Sequence, residues 1–252
     1  DGAWYLQATT DDGLLLGSNK NDEGRIYLMP NIWAVISGAA DRQKAKPAMA
    51  SVTKILLKKY GTLLNYPAFT KPRADIGYVT RYAPGLRENG GVYTHAATWS
   101  IWAYTLMNMP GKAYEAYRKI CPPNRSKDID IYKVEPYVTA GNVDGPISEN
   151  YGRGGWTWYT GSSQWLHRMA THWILGIRPQ ENGLLVDPSI PAQWDGYRVT
   201  RKFRSAVYEI NVKNPDHVSK GVKTMTIDGK RIAGNIIPAF QDGRSHSVEI
   251  LM

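Results

Sequence analysis

A change of hydrophobic period divides this chain. Within residues 162–175, Trp165, Leu166, Met169, Ala170, Trp173 and Ile174 fall at i, i+1, i+4, i+5, i+8 and i+9, one apolar stripe on a helix that Gly176 closes. Beyond Pro179 the period drops to two. Tyr197, Val199, Arg201 and Phe203 alternate with Arg198, Thr200 and Lys202, and Ala206, Tyr208, Ile210 and Val212 repeat the pattern. Residues 222–227 lead into Asp228-Gly229, a hairpin signal, and 246–251 read as a last strand. The expected fold is mainly α over 1–178, followed by a small β-sandwich-like module over 179–252.

Upstream, Asn31 is placed to cap a helix over 32–39, and Asp41 a second one ending near Tyr60 at Gly61, with Pro47 in its first turns or kinking it. Helical spacing returns over 98–109 and 112–120, while 62–91 read as a long irregular connection. Helices joined by alternately short and long Gly/Trp/Tyr-rich loops suit an all-α toroid whose loops build a site at one end.

Composition removes several classes. One Cys, Cys121, excludes a disulfide framework and a cysteine-rich zinc module. No apolar run approaches the ~18 residues of a membrane span, and the protein is expected in the cytoplasm. The net charge of +9 is dispersed without a recognised nucleic-acid motif. The aromatics are lopsided, 16 Tyr and 9 Trp against 3 Phe, which suits either an amphipathic core or a partly wet groove for sugars or single strands. His167 and His172 are poorly spaced to share a metal, and no metal is expected.

Three segments carry candidate chemistry. In Glu88-Asn89-Gly90-Gly91-Val92-Tyr93-Thr94-His95, paired glycines let backbone approach a ligand and His95 stands before a helix; a turn with a capping His fits as well. In Tyr132-Lys133-Val134-Glu135-Pro136-Tyr137, Pro136 pushes Glu135 into extended backbone. That carboxylate is suited to sugar hydroxyls, or to a surface ion pair. In 152–163, Thr160 and Gly161 open the well-formed helix, where amides favour an anion; a plain cap among packed tryptophans is the other reading.

Together these segments resemble the inverting β-glycoside phosphorylases of glycoside hydrolase family 94. The likeness runs from Asp11-Asp12-Gly13 and Trp33-Ala34-Val35-Ile36-Ser37-Gly38, through Gly90-Gly91-Val92-Tyr93-Thr94-His95, Glu135-Pro136-Tyr137 and Trp158-Tyr159-Thr160-Gly161, to Leu175-Gly176-Ile177-Arg178-Pro179 and Asp187-Pro188-Ser189-Ile190-Pro191. It implies part of an (α/α)6 barrel over 1–178 and a C-terminal β-sheet domain over 179–252. The implied reaction is cleavage of a terminal β-glucosidic bond by inorganic phosphate, giving α-glucose 1-phosphate with inversion and no cofactor. By the same likeness, His95, Thr160 and the Gly161 amide hold phosphate, while Glu135, Tyr132 and Lys133 line the acceptor sugar. A β-glucoside donor ranks ahead of chitobiose.

The family's general acid, an Asp in an upstream motif, has no counterpart here, so no catalytic residue is assigned. The chain is therefore expected to be the C-terminal part of a longer phosphorylase, partnered by the remainder as a second chain or by its own copies. Without that partner, Trp165, Met169 and Trp173 are expected to expose an apolar patch. A carbohydrate-binding protein that lost the acid, or a nucleic-acid module, are the readings from other classes.

Overall fold

The computed structural model of the protein describes residues 2–158 and 160–252; Tyr159 and the side chain of Thr160 lie outside that description. Two compact units are present, Asp1–Met107 with Glu115–Met169, and Asn108–Tyr114 with Ala170–Met252. The boundary read from sequence, 178/179, lies inside the second.

In the first unit, α1 (Leu28–Ile36), α2 (Arg42–Ser51), α3 (Thr94–Leu106) and α5 (Thr160–Arg168) are the main helices, and α4 (Pro110–Ile120) runs across the division of the chain. α3 packs against both α1 and α5. Its inner face, Ala96, Ala97, Ile101, Ala103 and Tyr104, is buried. The Tyr104 hydroxyl pairs with Thr53 Oγ1 at 3.0 Å, and burial pushes its pKa up to about 12.

Local detail departs from the sequence reading at several places. Asn31 is not a cap. It lies inside α1, fully buried, where Nδ2 donates to Tyr27 O and Oδ1 accepts the Tyr5 amide. Asp41 does cap α2, accepting the Lys44 amide at 2.8 Å, but the helix stops at Ser51 rather than Tyr60. There the Ser51 and Thr53 hydroxyls donate back to Pro47 and Met49 carbonyls, and the chain widens into a π-helical turn over Val52–Leu56. A similar widening over Met169–Ile174 follows α5, with the Leu175 amide on Ala170 O. The expected exposed patch is also corrected: Met169 is fully buried, and Trp165 and Trp173 are half-buried.

The second unit carries eight strands: β4 (Ile177–Gln180), β5 (Gly183–Val186), β6 (Gly196–Phe203), β7 (Ala206–Lys213), β8 (Thr224–Ile227), β9 (Lys230–Ile232), β10 (Ile236–Pro238) and β11 (Ser245–Leu251). Three two-residue strands of the first unit, β1 (Val92–Tyr93), β2 (Asn142–Val143) and β3 (Gly154–Gly155), belong to the site described below. One sheet has the order β4-β5-β10 and the other β6-β7-β11-β8-β9, in which β7 and β11 run parallel. Ala206, Tyr208, Ile210 and Val212 point inward as the alternation requires. Asp228 and Gly229, both at positive φ, close the β8–β9 hairpin.

His246 on β11 is clamped. Its ring stacks on Phe240 at 4.2 Å, Nδ1 meets Asp228 Oδ2 at 2.7 Å and Nε2 meets Asp242 Oδ1 at 3.2 Å. The hydrogen bond to Asp228 is the main cause that raises the His246 pKa, with Asp242 adding to it. The His246 hydrogen bond lowers Asp228, and the Arg244 amide leads in lowering Asp242. A raised His pKa contributes stability that is full below the unfolded value of about 6.5 and lost as pH rises through the folded one. The lowered Asp values contribute above about 4, and that part is lost on acidification. Melting temperatures at pH 5.5 and 8 should therefore favour pH 5.5 more strongly in the wild type than in His246→Gln. An identical pH dependence in both would remove the clamp from the account.

Candidate functional site

Three two-residue strands bring the candidate segments together. β1 (Val92–Tyr93) pairs with β2 (Asn142–Val143), and β2 with β3 (Gly154–Gly155), so Asn142 lies between Tyr93 and Gly155. The Gly90-Gly91 turn before β1 fits because neighbouring backbone comes close: the Gly90 amide donates to Asn65 Oδ1 at 2.7 Å, and the Gly91 carbonyl accepts from Leu64. From Tyr93 the chain enters α3 without a side-chain cap, and the Thr94 amide at its amino end donates to the Gly141 carbonyl.

His95 occupies the first turn of α3. Its ring lies edge-on to Trp99, one turn along the same helix, with centroids 4.7 Å apart, and 6.1 Å from Trp165 of α5. Trp33, Trp99, Trp102 and Trp165 continue this aromatic wall across α1, α3 and α5. His95 Nε2, Thr94 Oγ1 and Trp99 Nε1 are buried without a hydrogen-bond partner. Buried polar atoms left unpaired are unusual, and each disfavours the unliganded arrangement. Burial lowers the His95 pKa, favouring the neutral ring.

Gly161, in the first turn of α5, touches the same imidazole: a Cβ built there would stand 3.2 Å from His95 Nδ1. The amino-terminal turns of α3 and α5 thus flank one imidazole, and the helix amides there add partial positive charge without a lysine or arginine. Thr160 opens α5, but its side chain lies outside the described residues.

The second candidate group does not stay together. Glu135 Oε1 accepts the indole N–H of Trp158 at 3.1 Å, beside Tyr137. Both rings face solvent, Trp158 at 66% and Tyr137 at 72% exposure. Tyr132 is turned inward, its hydroxyl donating to Val138 O and accepting from the Ala140 amide, so it supports the segment from below instead of presenting a hydroxyl to sugar. Lys133, at φ 52, ends the short helix Ile129–Tyr132 and lines a recess of about 260 Å³ with Asp130, Glu149 and Tyr151. The left-handed residue turns the chain between the two side chains, which is why adjacency in sequence misleads.

Sequence reasoning missed Trp99 and Asn142. Trp99 was legible at i+4 from His95. Asn142 was not. Its Oδ1 accepts the Arg87 amide, and Nδ2 donates to Asp144, pairings that only the folded loops define. Among the described residues no group of three His, Cys, Asp or Glu side chains is placed to hold a metal. No helix among them is long and apolar enough to cross a membrane.

Comparison with known proteins gives the following. A family model described as the glycosyl hydrolase 94 superfamily, catalytic domain, matches residues 1–176. Over 251 residues the chain is 39% identical to N,N'-diacetylchitobiose phosphorylase from Vibrio proteolyticus, covering 100% of this chain and 31% of that protein. Solabiose phosphorylase from Paenibacillus borealis is 36% identical over 252 residues, covering 100% and 33%. Cellobionic acid phosphorylase from Neurospora crassa is 30% identical over 253 residues, covering 95% and 30%. The chain spans about a third of the length of these relatives.

Proposed function

The chain belongs to the glycosyl hydrolase 94 superfamily, and from that premise we propose that it supplies the phosphate-holding side of a β-glucoside phosphorylase. Inorganic phosphate would attack the anomeric carbon of a terminal β-glucoside as the glycosidic C–O bond breaks on the opposite face. The leaving oxygen takes its proton from a general acid, and α-glucose 1-phosphate departs with inversion. The remaining two thirds of the relatives' length would provide that acid and the rest of an (α/α)6 barrel to which α1–α5 contribute.

The observation that carries the reading is the His95 imidazole set against the first turn of α5, with Nε2 buried and unpaired. Ordinary inverting hydrolysis needs a second carboxylate to activate water. A phosphate nucleophile is already an anion, so donors replace that carboxylate: the imidazole, the Gly161 amide and the Thr160 hydroxyl. Glu135, held by Trp158 and flanked by Tyr137, would accept hydroxyl hydrogen bonds from the acceptor sugar.

A second donor sugar has an observation in its favour, since a relative at 39% identity is named for N,N'-diacetylchitobiose. Phosphorus NMR of the intact phosphorylase containing this chain, with phosphate and a panel of β-linked glucose disaccharides beside chitobiose, tests both. Phosphate-dependent appearance of α-glucose 1-phosphate is the expected result. N-acetylglucosamine 1-phosphate from chitobiose alone would select the other donor. Sugar binding with neither product would leave a carbohydrate-binding protein.

A further inference from the structure

We propose that a cavity of about 720 Å³, walled by Asn142, Asp144, Ser148, Glu149, Arg153 and Trp156, is a saccharide subsite that holds a sugar unit beyond the disaccharide being cleaved. The proposal rests on the phosphorylase reading and extends it to the substrate's length. The volume falls in the ~300–1,000 Å³ range of small-molecule sites.

Asp144 sets the chemistry. It is 8% exposed, and both carboxylate oxygens are oriented, Oδ1 by Asn142 Nδ2 at 3.2 Å and Oδ2 by Ser148 Oγ at 2.9 Å. Each oxygen keeps lone-pair capacity for a further donor. Burial leads in pushing the Asp144 pKa up, and hydroxyl donors would offset that desolvation. The reaction proposed above gives this carboxyl no part.

Trp156 supplies an apolar wall. The indole is 42% exposed on a residue at φ 49, a backbone region that side chains rarely adopt. The Arg87 guanidinium lies 4.5 Å from its centroid, is paired with Glu88, and also stacks on Tyr82 at 4.9 Å. An indole fixed beside hydrogen-bonding carboxylate, amide, hydroxyl and guanidinium groups suits a pyranose, which presents C–H faces and a hydroxyl rim.

Charge separates this site from the phosphate site. Asp144 and Glu149 together oppose an anion, and Arg153 balances only one of them. Around His95, by contrast, the groups are an imidazole and helix amides. The cavity therefore fits a neutral polyol. The two sites flank one sheet: Asn142 of the cavity pairs with Tyr93, the residue two before His95.

The test uses the intact phosphorylase with Asp144→Asn and, because Arg153 is exposed and its loss spares the core, Arg153→Gln. Phosphorolysis is followed on β-linked glucose disaccharides and on trisaccharides of matching linkage. The expected result is a KM for trisaccharide raised about tenfold, the loss of one good hydrogen bond, with disaccharide and phosphate KM within about twofold. An equal rise on both substrates, or no change on either, overturns the subsite. If Asp144→Asn does not fold, Arg153→Gln decides alone. If the wild type gives no phosphate-dependent product, the phosphorylase reading fails separately. Tryptophan fluorescence titration with the trisaccharides then decides: weaker binding in the variants keeps the subsite, and wild-type affinity removes it.

Discussion

Replacing His95 by alanine in the intact phosphorylase should raise the KM for phosphate about 10- to 100-fold, the loss expected for a charge-assisted hydrogen bond of ~1.5–3 kcal/mol. The disaccharide KM should stay near its wild-type value, because the imidazole lies against Gly161 and Trp99, whereas Glu135 is bonded to Trp158. Trp99 and Trp165 would still wall the site, so the fold should survive the truncation. Steady-state kinetics with phosphate varied at saturating sugar makes the measurement. A phosphate KM unmoved by the substitution would take His95 out of the site, and the reading built on it would fall.

Gly145→Ala should be strongly destabilising. An added Cβ would run into the Gly90 carbonyl oxygen, a backbone atom with no rotamer to change. The Gly145 amide also donates to Gly85 O at 2.7 Å, which ties the 142–145 segment to the turn before β1. Overpacking of this kind costs about 1–3 kcal/mol, and each kcal/mol lowers the melting temperature of a chain this size by roughly 2–4 °C. Phosphate KM should rise as well, since the displaced Gly90-Gly91 turn delivers His95. Gly155→Ala is the matched control: no atom lies within 4 Å of its added Cβ. Equal melting temperatures for the two variants would mean the loops adjust freely, contrary to the packing described.

The sequence disclosed most where a single element decides the outcome. The stripe at 162–175 marks a helix because burial on one face demands that spacing, and Asp228-Gly229 marks a hairpin because two positive φ angles favour those residues. It disclosed less where distant groups decide. Arg204 and Ser205 make the β6–β7 turn at φ 45 and 67 without any glycine, because the eight-residue pairing of the two strands overrides local preference. Asn31 looked like a cap and became a buried link to Tyr5, 26 residues away. The candidate site divides along the same line. His95 and Gly161 come together through the packing of α3 on α5, whereas Tyr132, Lys133 and Glu135, within four residues of one another in sequence, are sent to different surroundings by one left-handed residue.

The place of β11 in its sheet bears on how this protein is made. Residues 245–251 lie in the middle of the order β6-β7-β11-β8-β9, joined on one side to β7 in parallel and on the other to β8. During translation, β6 and β7 can form their hairpin as they leave the ribosome, and so can β8 and β9, but no strand joins the two hairpins until residues 245–251 have been synthesised. A nonsense codon just before Ser245 would therefore leave two separate ribbons with unpaired inner edges, the kind of surface that recruits strands from other chains.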